Sequence, residues 1–242
     1  MEVNKIICGD CLEEMKKIED NSVDFTITSP PYNAGKNVRG NFYKNYSDDL
    51  SNDEYYLFIK NTLKELIRIN KKYIFFNFQI LSGNKNSYLQ ILSDFKENIK
   101  EIIIWHKKQV QPAIQPTCLS SAFEFIIVFS KKELAKNRTF EFANFNNRKK
   151  GQLNTNIIYG DNMSCIKQFN KMNKTNKATF PEYFVKWFID KFTKEKDIIL
   201  DPFAGTGTTL FVAKQNKRRY LGIELDKEYC NIINLRLKQG IL

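Results

Sequence analysis

The sequence predicts an α/β fold, a mostly parallel sheet with helices on both faces. Apolar runs of strand length alternate with amphipathic stretches of helix length from Val3 to Ile223, the pattern that buries a parallel sheet between two helical layers. A second observation is the run Ile198-Ile199-Leu200-Asp201, which enters Pro202-Phe203-Ala204-Gly205-Thr206-Gly207 and leaves it as the helix-like Leu210-Phe211-Val212-Ala213. The third is the next strand, Tyr220-Leu221-Gly222-Ile223, which ends in Glu224 about 20 residues beyond the turn, where nucleotide-type folds place a ribose-binding acid.

A chain of 242 residues suits one such domain with an insertion, or one large domain and a small one. Its 38 Lys+Arg against 27 Asp+Glu give +11, which favours a polyanionic partner through counterion release and is also compatible with a solvated basic surface. No run of about 18 apolar residues occurs, and Met1-Glu2-Val3-Asn4-Lys5 leads into a strand instead of a signal peptide. A cytoplasmic protein with no membrane partner is expected. Cys8, Cys11, Cys118, Cys165 and Cys230 are odd in number and scattered, which argues against a disulfide framework. Cys8 and Cys11 form a CxxC, but no second pair lies at zinc spacing and the only histidine is His106, so no metal is expected.

The first strand covers residues 3 to 8. Gly9-Asp10 then turns into a helix carrying Leu12, Met15 and Ile18 on one face, with Asp10 either capping that helix or facing a ligand at the strand end. The apolar run 23 to 27 precedes Thr28-Ser29-Pro30-Pro31-Tyr32-Asn33. Two prolines with fixed φ and no N–H place carbonyls rigidly, Ser29 adds a hydroxyl acceptor, and Tyr32 adds a flat ring with a polar tip. Such a loop can grip a planar base that carries an exocyclic amino group, or can simply stop a strand. Residues 33 to 49 are polar, with Lys36, Arg39 and Lys44, and are expected to form a lid or a disordered loop.

Ser51-Asn52-Asp53-Glu54 starts a helix that runs to Ile69. Strand 73 to 78, helix 86 to 95, strand 101 to 105 and strand 123 to 130 follow. Between the last two strands, the proline-broken loop 106 to 118 carries Lys107, Lys108 and amides that could meet phosphates or base edges, or could be ordinary surface. Residues 131 to 150 hold seven cations against two acids, with Phe140, Phe142 and Phe145 interleaved. This composition suits a DNA-contacting insertion in which Arg148, Lys149 and Lys150 meet phosphates, and is also compatible with a hairpin that has one charged face. Ile157-Ile158-Tyr159-Gly160-Asp161 echoes Ile6-Ile7-Cys8-Gly9-Asp10, an echo read as chance because no second SPPY follows it.

At the glycine turn, Gly205 and Gly207 permit close backbone approach, and a helix N-terminus there offers N–H donors to a carboxylate or phosphate. Asp201 supplies an anion suited to a cofactor with an α-amino group. No Lys follows Gly207, against a P-loop, and Thr208, Thr209 and Leu210 leave the dinucleotide GxGxxG incomplete.

The SPPY loop and the Phe203-x-Gly205-x-Gly207 turn together resemble the S-adenosylmethionine-dependent DNA amino-methyltransferases, which join an (S/D)PPY loop to an FxGxG cofactor turn. The SPPY loop comes first and the turn last, the circularly permuted motif order of the β subgroup. The resemblance spans Asp10 to Glu224, with 132 to 172 matched least. It implies a Rossmann-like catalytic domain in 1–131 and 173–242, a small DNA-recognition insertion in 132–172 aided by loop 106–118, S-adenosylmethionine without a metal, and double-stranded DNA. It leaves room for a homodimer and for a cognate restriction endonuclease. Ser29, Pro30, Pro31 and Tyr32 would be catalytic, with Tyr32 stacking on a flipped base while Ser29 and the Pro30 carbonyl accept hydrogen bonds from its amino group. Asp10 would lie beside the adenine end of the cofactor and Thr179 and Phe180 over its methionine part. Asp201, Phe203, Gly205, Gly207, Thr208 and Glu224 complete the cofactor set. Lys36, Arg39, Lys107, Lys108, Arg148, Lys149 and Lys150 are the DNA-contact candidates. The family often has a histidine two residues before Ala178, where this chain has Asn176.

Methyl transfer to cytosine N4 or adenine N6 needs no cysteine nucleophile, and no Pro-Cys motif for ring-carbon chemistry is present. The family's adenine enzymes mostly carry Asp where this chain has Ser29, so cytosine N4 is favoured over adenine N6. A basic nucleic-acid-binding module without catalysis is the alternative of another class, and a small-molecule or RNA methyltransferase is a further one.

Overall fold

The computed structural model describes residues 1–34, 49–108, 117, 119–143, 154–160 and 179–239. Its strands are β1 (Lys5–Cys8), β2 (Phe25–Thr28), β3 (Ile74–Phe78), β4 (Ile99–Lys107), β5 (Phe123–Phe129), β6 (Ile157–Gly160), β7 (Ile198–Asp201) and β8 (Arg219–Glu224). They form one sheet in the order β1-β8-β7-β2-β3-β5-β4-β6. Every neighbouring pair is parallel except the two made by β5, which runs against β3 and β4.

Residues alternate across the sheet with the period of two that an extended chain imposes. Phe75, Ile126, Val128 and Ile199 enter one core, while Ile74, Phe76, Ile127, Phe129 and Leu200 enter the other. The first core is closed by α5 (Glu182–Phe192), α6 (Thr208–Gln215) and α7 (Lys227–Gln239) through Phe184, Phe188, Phe192, Leu210, Ile233 and Leu237. The second is closed by α1 (Cys11–Lys16), α2 (Asn52–Ile69) and α3 (Lys85–Asp94) through Met15, Tyr55, Ile59, Leu63, Leu66, Tyr88 and Ile91. Burying each of these large side chains contributes about 1.5 to 3 kcal/mol, so both faces are committed and the strands read as near-continuous apolar runs.

The start of α2 shows how local chemistry fixes an element. Ser51 Oγ accepts from the Glu54 N–H, and the Glu54 carboxylate accepts from the Ser51 N–H at 3.0 Å, a reciprocal cap at an amphipathic helix.

The structure adds detail to two stretches. The residues of the echo do form a strand, since Ile157–Gly160 is β6, paired with β4 at the edge opposite β1. The stretch 132–172 is also not wholly apart from the catalytic sheet. Besides β6 it holds a short helix, α4 (Lys132–Ala135), and Phe140 and Phe142, whose rings lie 5.4 and 5.2 Å from that of Phe192. Its described cations are largely paired at home: Lys132 with Glu97 at 2.6 Å and Arg138 with Glu101 at 2.5 Å. The proposed lid with Lys36 and Arg39, the cluster Arg148, Lys149 and Lys150, and Asn176 lie outside the described residues.

Candidate active site at the carboxyl ends of the strands

In an open α/β sheet the crevice for ligands opens where the chain order reverses, outside the carboxyl ends of the strands. Here β7 leads through α6 to β8 on one side, while its other neighbour, β2, leads through α2 to β3 away from it. The two motif loops therefore leave adjacent strands. Thr28, the last residue of β2, donates from Oγ1 to Asp201 Oδ1, the last residue of β7, at 2.7 Å.

The glycine turn takes its shape from backbone. Gly205 has φ +54° and Gly207 φ +78°, a region where a side chain is strained. At Gly207 a Cβ would sit 2.9 Å from Ile233 Cγ1, so that glycine is required by packing as well. At Gly205 the nearest atom to an added Cβ is the Phe203 carbonyl oxygen at 3.9 Å, leaving the outer side of the turn open. The Gly205 N–H donates to Glu224 Oε2 at 2.8 Å, and the Asp226 N–H donates to Oε1 at 2.9 Å. Both Glu224 oxygens are thus oriented by backbone at the mouth of the turn. Asp201 is 3 % exposed, and burial pushes its carboxyl up to about 6, against the lowering effect of the Thr28 hydroxyl and the Phe203 N–H.

A buried arginine that sequence reasoning missed holds this turn from beneath. Arg236 on α7 donates from Nη1 to the Thr206 carbonyl at 3.0 Å and to Thr208 Oγ1 at 3.2 Å, and from Nη2 to Glu182 at 2.9 Å. Its guanidinium lies 4.6 Å from the Phe211 ring centroid. The Thr208 hydroxyl, expected at the cofactor, is therefore engaged by Arg236 inside the protein, and Thr208 is left with its place at the start of α6. Asp10 acts as the N-cap of α1, accepting from Leu12 at 2.9 Å and Glu13 at 3.1 Å, at the exposed end of β1 beside β8. Phe203 packs edge-on to Phe58 at 5.9 Å, and Phe180 lies 4.6 Å from Phe184 with Thr179 beside it, half-buried.

The SPPY loop is pinned by distant side chains. Tyr55 donates to the Pro31 carbonyl at 2.7 Å and Asn84 to the Tyr32 carbonyl at 2.8 Å. The Asn33 amide accepts from the Leu50 N–H at 2.7 Å and donates to the Leu50 and Gly83 carbonyls. Among the described residues, no group donates to the Pro30 carbonyl. Ser29 Oγ donates to the Tyr32 hydroxyl at 2.9 Å, which also meets Asn77 and lies 3.4 Å from Glu124. Burial, reinforced by the Glu124 charge, raises the Tyr32 phenol well above its ordinary range and keeps it protonated.

Lys107 departs from its expected role. Its Nζ pairs with Glu124, both side chains are nearly buried, and it lies 5.2 Å from the Trp105 ring centroid, so it is committed within the protein and not held out to phosphate. Lys108 is exposed. Asn77 and Glu124 were not singled out from the sequence. The signal was present, since a polar residue inside an apolar strand, as in Ile74-Phe75-Phe76-Asn77-Phe78, must find a partner when buried.

A turn with an open glycine face, two acids and a helix start, joined at the switch point to a proline-fixed loop, has the layout of a nucleotide-type ligand site in an open α/β enzyme. The Thr206 hydroxyl oxygen in the same turn is buried without a hydrogen-bond partner among the described residues. The profile of the DNA methylase family of N6 and N4 enzymes matches residues 23–235, and the chain belongs to that family. It is 30% identical to the type II methyltransferase M.HpaI of Haemophilus parainfluenzae over 96% of this chain and 74% of that protein. It is also 30% identical to the DNA adenine methyltransferase YhdJ of Escherichia coli strain K12, over 94% of this chain and 80% of that protein. The solved PvuII cytosine-N4-specific DNA methyltransferase shares the fold at a TM-score of 0.74, with 18% identity over 99% of this chain and 98% of the other. No helix among the described residues is long and apolar enough to cross a membrane, and none of their His, Cys, Asp and Glu side chains cluster as a metal site.

Proposed function

We propose that this DNA amino-methyltransferase modifies cytosine N4 in double-stranded DNA and takes its methyl group from S-adenosylmethionine. The observation that carries the choice of base is Ser29, a neutral acceptor where the family's adenine enzymes mostly carry Asp. S-adenosylmethionine, when bound, supplies an electrophilic methyl group. The chain's residues do the rest. The open face at Gly205 accepts the ligand against backbone, Glu224 offers oriented carboxylate oxygens to ribose hydroxyls, and Asp201 sets an anion near the α-amino group. Thr179 and Phe180 close over the methionine portion. Because an amino group inside a duplex cannot be reached, the base is flipped out and stacked on Tyr32. Ser29 and the Pro30 carbonyl accept from its N–H groups, which withdraws the nitrogen lone pair from the ring and aligns it.

Adenine N6 is the second reading, favoured by the likeness to YhdJ. Lys108, Lys36, Arg39, Arg148, Lys149 and Lys150 are the proposed phosphate contacts, with 132–172 and loop 106–118 as the DNA-recognition parts, and the protein acts in the cytoplasm beside a cognate endonuclease. Nucleoside mass spectrometry of DNA exposed to the protein and cofactor tests the reading. N4-methylcytosine is expected; N6-methyladenine alone would move the assignment to adenine, and neither product would remove the SPPY loop as a base site.

A further inference from the structure

Behind Tyr32, three strands bring together polar groups that the proposed reaction has not yet used. Glu124 sits at the start of β5, Asn77 near the end of β3 and Lys107 at the end of β4, because the reversed direction of β5 puts its amino end at the edge where its neighbours finish. Glu124 is only 8 % exposed. A carboxyl group in such a place needs hydrogen-bond partners, and it has them. Lys107 donates to Oε1, and Asn77 Nδ2 donates to Oε2 at 2.6 Å. The Asn77 amide has one workable orientation, since turning it would set its oxygen against the carboxylate.

Directions of donation follow. Asn77 Nδ2 also donates to the Tyr32 oxygen, and Ser29 Oγ donates to the same oxygen at 2.9 Å. The Tyr32 proton is then directed at Glu124 Oε2, the acceptor 3.4 Å away. With its own proton spent on Tyr32, Ser29 keeps only lone pairs for whatever lies beyond it.

We infer that Glu124 is a positioning residue for methyl transfer: held by Lys107 and Asn77, it orders the hydroxyls of Tyr32 and Ser29 so that Ser29 turns lone pairs, not its proton, to the amino group being methylated. This rests on the amino-methyltransferase reading. A glutamine at 124 would break the order. Lys107 can only donate, so it draws the amide oxygen, and the amide NH₂ is left facing Asn77 and Tyr32. The chain of donors then runs backwards and points the Ser29 proton at the substrate N–H.

The test is a double-mutant cycle in single-turnover methyl transfer to DNA at saturating cofactor, using the unaltered chain, Glu124→Gln, Tyr32→Phe and the double variant. Glu124→Gln should slow transfer on the order of tenfold or more with cofactor affinity unchanged by calorimetry. In the Tyr32→Phe background, where the link is already cut, the same change should alter the rate by less than about twofold. Lys107→Met, paired with Tyr32→Phe in the same way, gives the same pattern and serves if Glu124→Gln fails to fold. Equal losses in both backgrounds, or a loss traced to cofactor affinity, would overturn the inference while leaving the methyltransferase reading in place. No transfer by the unaltered chain would overturn both.

Discussion

On one side of the Thr28–Asp201 hydrogen bond, the turn Phe203–Gly207 gets its form from two residues in the left-handed region and from backbone N–H groups on a carboxylate 19 residues away. On the other side, the loop Ser29–Asn33 is shaped by side chains that reach it from 24 to 92 residues along the chain: Tyr55, Asn84, Asn77 and Glu124. Backbone geometry of the first kind is cheap to specify and suits a cofactor that never changes. A surface made of distant side chains can be retuned one residue at a time, which suits the half proposed to choose a base.

The sharpest way to break that contrast is at Gly205. If the turn is a backbone seat for the cofactor, Gly205→Val, whose side chain meets no protein atom closer than 3.9 Å at Cβ, should keep a native circular dichroism spectrum and lose cofactor binding beyond detection by calorimetry. The strain at its φ should cost only about 1 to 2 kcal/mol of stability. Undiminished affinity would place the cofactor elsewhere.

Arg236 is the side-chain exception in the backbone half. Arg236→Met strips the turn of its buried support and leaves Glu182 without its partner, and urea denaturation should show a loss of about 3 to 5 kcal/mol. A loss below about 1 kcal/mol would mean that the glycines hold the turn unaided.

Asp201 sharpens the contrast through pH. Its folded pKa of about 6 lies above its value in the unfolded chain, so its favourable contribution is complete below the unfolded pKa and is lost as pH rises through 6. Stability measured without cofactor should fall on the order of 3 kcal/mol from this group between pH 4 and pH 8. Asp201→Asn should remove that slope; an unchanged slope would assign it to other groups. The smallest effect is expected at the joint between the halves. Thr28→Val should cost about 1.5 kcal/mol in thermal or urea unfolding, the scale of one hydrogen bond to a charged group, and no change would show that the halves are fastened elsewhere.

The same contrast explains what could be read beforehand. Strands β2, β3, β5, β7 and β8 declared themselves because both of their faces are buried, and the glycine turn declared itself because its geometry is local. The helix Lys227–Gln239 passed unnoticed, and Arg236 with it, since one arginine on a charged C-terminal helix gives no hint that it is buried. The ion pair of Lys107 was hidden for the matching reason. Its cation looks free until the hairpin of β4 and β5 sets Glu124 beside it. Edge strand β6 is four residues long and half-exposed, with too little apolar pattern to separate it from an echo.

The strand order has a consequence for how the protein comes into being on the ribosome. β1 and β2, separated by 16 residues in the chain, never touch, because β7 and β8, made from residues 198 to 224, fill the gap between them. Until those residues emerge, the nascent sheet carries two unpaired parallel edges, the kind that invites pairing with other chains. The crevice between β2 and β7 can therefore close only after β7 has been made, 169 residues after the end of β2.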